Sequence, residues 1–280
     1  MKLIESKVEV IEQQPGLEGM YKHIELAGRV SYKSEDKITE DSAKEFVDRM
    51  IKSKHGAVLE HGTVYLKGRA VYDENGILEV PKNLFPDFFE RNKYSIVRKI
   101  ESEDMCNWYI TTNLRVIVEN SLTECLEYIC EPTEIHEKRI TARFTIDRIN
   151  SQSIVRHRTM SFTQESQRFC NYSKDKFNNE VTFIKPHWFN EEFPASLTWI
   201  EAMKDAEKRY FELIEMGLKP QDARGVLPNE TKTEIVVTGF ESDWEHFFSL
   251  RSPKYGAQGP HPNIAKLADE LYEKLNSVNK

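Results

Sequence analysis

Arg156-His157-Arg158 is followed, after seven intervening residues, by Ser166 and then Arg168. Three potential cations and a hydroxyl in one short segment are hard to explain as packing. A guanidinium offers planar, forked donors suited to phosphate or carboxylate, and two close together make a strong anion site. Ser161, Thr163, Gln164, Ser166 and Gln167 supply neutral hydrogen-bonding groups alongside. The mixture suits a polar ligand with several phosphates and a base edge. The competing reading is a surface patch of arginines in weak ion pairs, the usual fate of charged residues.

Three further groups could carry chemistry. His55-Gly56-Ala57-Val58-Leu59-Glu60-His61-Gly62-Thr63 holds two histidines and a carboxylate, but no short-range partner completes a ligand set, so no metal is expected. Ala223-Arg224-Gly225-Val226-Leu227-Pro228 places an arginine before a proline-terminated turn, where a solvated residue is the plain alternative. In Phe247-Phe248-Ser249-Leu250-Arg251 the aromatic pair reads as core and Arg251 lies just beyond the last apolar residue. Cys170 follows the arginine segment without a base or cation to make it a nucleophile.

The elements that must position these residues belong to an ordinary globular chain. It has 280 residues, 39 % hydrophobic and 30 % charged, enough to bury a substantial core. A net charge of −7 argues against general nucleic-acid binding, which needs a basic field, yet leaves room for a local pocket of arginines. Acidic residues interrupt the N-terminal stretch, and no apolar run reaches membrane-spanning length. Cys106, Cys125, Cys130 and Cys170 contain no C-x-x-C pair and read as reduced, mostly buried thiols. The expectation is a cytoplasmic protein with no membrane association.

Alternation predicts strands over Leu3 to Ile11, Val58 to Leu66, Trp108 to Ile110 and Lys138 to Ile146. Helices are expected after Thr39 or Asp41 with a stop at Gly56, over most of Leu114 to Cys130, and after Asp147, the last delivering Arg156-His157-Arg158 at or near its end. Pro194 to Met216, closed by Gly217, and Pro220 to about Val226 read as two more. Ser242 to Glu245 reads as a capping box for a helix reaching Arg251, and Pro262 to Val278 as a final amphipathic helix. The stretch from Lys67 to Asn107 looks irregular, part of an excursion at about 67–135. The pattern is α+β, a single domain with a mixed or antiparallel sheet packed by helices.

These motifs resemble the flavin-dependent thymidylate synthases, whose signature is Arg-His-Arg, seven residues, Ser. Arg29-Val30-Ser31-Tyr32, the Glu60-His61 element, the Ala-Arg-x-x-Leu-Pro motif at Arg224 and the Phe-x-x-Leu-Arg element at Arg251 match in the correct order. The resemblance implies a thymidylate-synthase-complementing fold and the conversion of dUMP to dTMP, with methylenetetrahydrofolate as carbon donor and NADPH as reductant through FAD. It assigns His61, Thr63, Arg156, His157, Arg158, Gln164 and His246 to the cofactor. Ser153, Arg156, Gln164, Ser166, Gln167, Arg168, Arg224 and Arg251 fall to dUMP, and Arg251 would favour charge on the uracil. Thr233 falls where the Arg224 motif extends.

The resemblance also implies a homotetramer with active sites between subunits. The chain departs from the commonest pattern at Ser153, Gln164, Phe169, Phe240 and His246. Two other readings compete: a homologue that kept the fold but lost turnover, and a non-catalytic module binding single-stranded nucleic acid through arginines and interleaved aromatics.

Overall fold

The computed structural model describes residues 1–76 and 78–277. Strands β1 (Lys2–Ile4) and β2 (Lys7–Ile11) lead into helix α1 (Gly16–Val30), and α2 (Ser42–Lys52) and the single turn α3 (Gly56–Leu59) follow. Next come β3 (Thr63–Tyr72), β4 (Leu78–Glu79), α4 (Pro86–Arg91), β5 (Ile96–Glu101), β6 (Met105–Asn113) and α5 (Leu114–Glu119). The second half holds β7 (Arg139–Asp147), α6 (Arg148–Ile154), β8 (Ser161–Gln164), β9 (Thr182–Ile184), α7 (Pro194–Glu215) and α8 (Pro220–Ala223). It closes with β10 (Lys232–Phe240), α9 (Glu241–Arg251) and α10 (Pro262–Ser277).

The fold is α+β. One antiparallel sheet has the order β2-β7-β10-β8, a second the order β4-β3-β6-β5, and β1 pairs in parallel with β9. In the first sheet Phe144 lies opposite both Val8 and Ile235, and Ala142 opposite Val10 and Val237. These apolar side chains face Trp244 and Phe247 of α9 and Ile264, Leu267 and Leu271 of α10, all with at most 1 % exposure. Val236, on the alternate face, packs against Ala27 and Val30 of α1. Helices therefore cover both sides of the sheet that carries the site.

The second sheet has its own core, in which Val64, Leu66, Trp108 and Ile110 meet Met20 and Ile24 of α1 and Phe46 and Val47 of α2. Gly28 lets α1 and α2 approach: a Cβ there would sit 2.5 Å from Phe46 Cζ. The region around Lys67 is consequently regular, and the irregular reading is corrected. Lys67 and Arg69 alternate with Leu66, Gly68 and Ala70, but small residues at the inward positions mute the hydrophobic signal. Gly68 is small because Leu84 fills the space where its Cβ would lie.

Other boundaries also shift. Leu3 to Ile11 divides into two strands in different sheets. The helix after Asp41 ends at Lys52, four residues before Gly56, which opens α3 instead of stopping α2. The expected strand from Val58 starts only at Thr63, so Glu60 and His61 occupy the turn between α3 and β3. The short strand at Trp108 extends over nine residues. Leu114 to Cys130 is split: α5, started by Asn113 accepting from the Val116 amide at 3.1 Å, stops before left-handed Ser121, and a 3-10 stretch follows at Thr123–Tyr128.

At the start of α9 the cap lies two residues earlier than expected, at Phe240 instead of Ser242, and Asp243 accepts from the Phe240 amide at 3.0 Å. Gly217 closes α7 with φ +92°, and the Leu218 amide reaches back to Leu213. The final helix is described to Ser277; its expected end at Val278 lies outside the described residues.

Candidate functional site

The signature segment hangs on a capped strand-to-helix junction. Asp147, the last residue of β7, accepts from the Asn150 amide at 2.7 Å and so starts α6. Asn263 of α10 donates to the other Asp147 carboxylate oxygen at 3.1 Å, fixing the junction against the C-terminal helix. α6 then runs for two turns, and Arg156, His157 and Arg158 lie in the turn beyond its end. The chain returns as β8, paired to β10 with Gln164 opposite Ile235.

His157 is 6 % exposed, wedged with its ring centroid 5.0 Å from Phe247 and 5.7 Å from His246. Among the described residues neither of its ring nitrogens has a partner. Burial, then the nearby Arg251 and His246, lowers its pKa to about 4, so the ring is neutral at pH 7. Arg251 donates to the Ser153 carbonyl at 3.3 Å, and its Nε is buried without a partner. Burial and the charge of Arg156 lower its pKa. Arg156, His157, Ser153, His246 and Arg251 therefore come together where α6 meets α9.

Gln164 donates from Nε2 to Ser151 Oγ at 2.9 Å and to Thr233 Oγ1 at 3.1 Å, which leaves its carbonyl oxygen free to accept. Ser166 donates its amide to the Ser31 carbonyl at 2.9 Å, and its hydroxyl accepts from the Arg168 amide. Gln167 is buried beside the Tyr172 hydroxyl without reaching a hydrogen bond of good geometry. Exposed Phe169 stacks at 4.8 Å on Tyr32, with Arg168 over its ring at 5.4 Å. Arg224 is half-buried directly after α8.

Among the described residues, Arg156, Arg158, Arg168, Arg224 and Arg251 form no ion pair. That observation decides against a surface patch of arginines neutralised by carboxylates. Arg156, Arg158 and Arg168 are exposed, where water satisfies a guanidinium; among the described residues the groups left without a partner by packing are the buried Nε of Arg251, both ring nitrogens of His157 and Nε2 of Gln167.

His61 lies elsewhere. It is fully buried in the α3–β3 turn, its Nδ1 2.8 Å from Thr238 Oγ1 and its Nε2 2.9 Å from Thr163 Oγ1. Burial holds its pKa well below the usual histidine range. Both nitrogens are committed within the chain, so the ring reaches the signature segment only through Thr163. Thr63 accepts from Arg139 at 3.3 Å and lines a separate cavity of about 580 Å³ with Tyr65, Arg139, Trp244 and Tyr272. The structure therefore does not bring His61 and Thr63 to the Arg156–Arg158 turn.

The thymidylate synthase complementing protein family matches residues 131–279, more than half of the chain. The chain belongs to this family. Among relatives, the flavin-dependent thymidylate synthase of Pyrococcus furiosus is 35 % identical over 137 residues, covering 48 % of this chain and 54 % of the relative. That of Saccharolobus solfataricus is 33 % identical over 150 residues, covering 53 % and 52 %. The chain spans about half the length of the relatives it matches. A solved UMP/dUMP methylase, PolB from Streptomyces cacaoi bound with 5-Br dUMP, is 17 % identical with a TM-score of 0.46, covering 99 % of this chain and 93 % of that one.

The thymidylate synthase complementing match contains Ser153 to Arg168, Arg224, His246 and Arg251, and leaves His61 and Thr63 outside. Geometry adds Arg148, the first residue of α6, which the sequence reading missed. Its half-buried guanidinium lies near Arg224, and burial lowers its pKa, as does that second cation. Ser151, the partner of Gln164, was missed as well. Both sit on the helix that ends at the signature, so an arginine two turns before Arg156 was the available signal. Among the described residues no helix is long and apolar enough to cross a membrane, and no group of three or more His, Cys, Asp or Glu could hold a metal ion.

Proposed function

We propose that the protein is a flavin-dependent thymidylate synthase that converts dUMP to dTMP in the cytoplasm, taking the carbon from methylenetetrahydrofolate and reducing equivalents from NADPH. The observation that carries this reading is the set of unpaired guanidinia around Arg156 and Arg251, joined by the two partnerless nitrogens of His157. Buried donors and acceptors rarely stay orphaned, and a ligand that supplies partners resolves them.

FAD fits this chemistry. Arg156, His157 and Arg158 would hold it, with His246 beside His157, and when bound it supplies the hydride transfer that no side chain can perform. A neutral His157 can accept or donate one hydrogen bond at each nitrogen without adding charge. Arg168, Ser166 and Gln167 would bind the dUMP phosphate, with Arg224 and Ser153 as further contacts. The free Gln164 carbonyl would accept from the nucleotide.

Arg251, tethered to Ser153, would stabilise negative charge developing on the uracil, an effect strongest where water is excluded. Cys170 contributes no nucleophile: it is fully buried, and burial pushes its thiol up to about 12. His61 and Thr63 would reach a flavin only if their present hydrogen bonds were exchanged, or from a neighbouring subunit of a homotetramer.

The test is the visible absorption spectrum of purified protein offered FAD, before and after dUMP, followed by assay of dTMP formation. A flavin band that shifts with dUMP, and dTMP formed on adding methylenetetrahydrofolate and NADPH, supports the reading. A protein that takes up no FAD overturns it.

A further inference from the structure

We propose that Glu165 and Lys232 are a pair of positioning residues that set the nucleotide-binding face from the opposite side of the sheet; this rests on the dUMP reading above. Side chains alternate across a strand. Gln164 and Thr233 meet on one face, where the Gln164 amide donates to Thr233 at 3.1 Å. Glu165, Lys232 and Glu234, their sequence neighbours, meet on the other. Lys232 Nζ donates to Glu165 at 2.8 Å and also to Glu234. Glu234 in turn accepts from Lys33 at 3.0 Å and from Arg143, and Lys33 donates to Glu35 at 2.6 Å.

This cluster joins four separated stretches of chain, at Lys33–Glu35, Arg143, Glu165 and Lys232–Glu234. The Glu165 amide donates to the Glu234 carbonyl at 2.8 Å, and the next amide, that of Ser166, donates to Ser31 at 2.9 Å. Lys33, which follows Ser31 in a left-handed conformation (φ +48°), returns its ammonium to Glu234. The turn bearing Ser166 is thus gripped by β10 and by the segment after α1. Glu165 has a side-chain exposure of only 2 %, and among the described residues its second oxygen has no partner, so Lys232 is its one direct ion-pair partner.

Apolar packing would hold these strands together as well or better, because burying ions costs desolvation. What the charges add is direction. They fix the rotation of the Gln164–Ser166 backbone, and therefore where the Gln164 carbonyl and the Ser166 hydroxyl point.

Calorimetric titration with dUMP and thermal melting should be run on the FAD-loaded wild type, Glu165→Gln, Lys232→Gln and the double variant, with amide exchange at Ser166 as a ligand-free readout. Each single change is expected to weaken dUMP about tenfold and to speed Ser166 exchange, with the double variant no weaker than either single one. Single variants that melt lower yet bind dUMP within about twofold of the wild type would show a merely structural network and overturn the proposal. If the singles do not fold, the double variant, which leaves no unpaired ion, decides by the same comparison: wild-type affinity overturns it. A wild type that ignores dUMP overturns the functional reading instead. The pair is then judged by Ser166 exchange, and an unchanged rate overturns it.

Discussion

The guanidinium of Arg251 donates to the main-chain carbonyl of Ser153 at 3.3 Å, so the last residue of α9 is tied to the last turn of α6. One cation is thereby fixed beside Arg156 and His157 and, among the described residues, no carboxylate pairs with it. Its position is set by the two helices that present the rest of the site.

Replacing Arg251 by alanine is expected to leave flavin uptake intact and to lower dTMP formation by about 10²–10³-fold, the cost of losing one fixed donor to developing charge. Single-turnover assay with the flavin spectrum recorded in parallel separates these effects. Loss of flavin together with activity would move Arg251 into the cofactor site.

Arg158 is exposed and has no ion-pair partner among the described residues. Arg158→Ala should therefore change stability by no more than about 0.5 kcal/mol, yet abolish flavin retention. Melting curves and the ratio of flavin to protein absorbance check both halves. Unchanged flavin occupancy would sink the assignment.

Stability should fall on mild acidification. His157 and His23 are both lowered to about 4 by burial. Between pH 6.5 and about 4 the unfolded chain binds protons at these positions that the folded chain does not. Folding stability is consequently lost as pH falls through that window and levels off below it for these two groups. Denaturant midpoints measured from pH 7 to 4 should decline, and His157→Gln should flatten part of the slope. An equal slope in the variant would mean that His157 titrates normally in the folded state.

Cys170 and Cys125 are fully buried, and burial pushes both thiols up to about 12. Iodoacetamide at pH 8 should spare both in the native protein, and mass spectrometry of alkylated peptides reads this directly. Cys170→Ala should keep dTMP formation within about tenfold of the wild type, since only packing is lost. A 10³-fold loss would restore Cys170 as a chemical participant.

Much of the site was legible because its parts are local. Asp147 capping α6, the arginines after that helix, Gly217 in the left-handed region and Arg251 ending α9 each follow from chemistry within a few residues. What was hidden depends on distant contacts. The strand from Val58 reads as ending at Leu66, because Gly68 supplies no inward side chain of its own; Leu84, from a later stretch of chain, occupies that space. His61 reads as an available imidazole until Thr163 and Thr238 arrive from strands more than 100 residues away. Arg148 becomes notable only when α8 delivers Arg224 beside it.

The family match begins at residue 131, but the sheet it contains does not. β2, from Lys7 to Ile11, forms the outer strand on β7, lying opposite Thr145 through Thr141. Ala27 and Val30 of α1 cover the opposite face at Val236. A fragment cut at residue 131 would carry Arg156, Arg158, Arg168, Arg224 and Arg251 and still present a bare β7 edge and an uncovered apolar face, the features that drive strand-to-strand aggregation. The stretch that the family shares thus holds those arginines, while the sheet that carries them is completed and covered only by the first strands and helix of the chain.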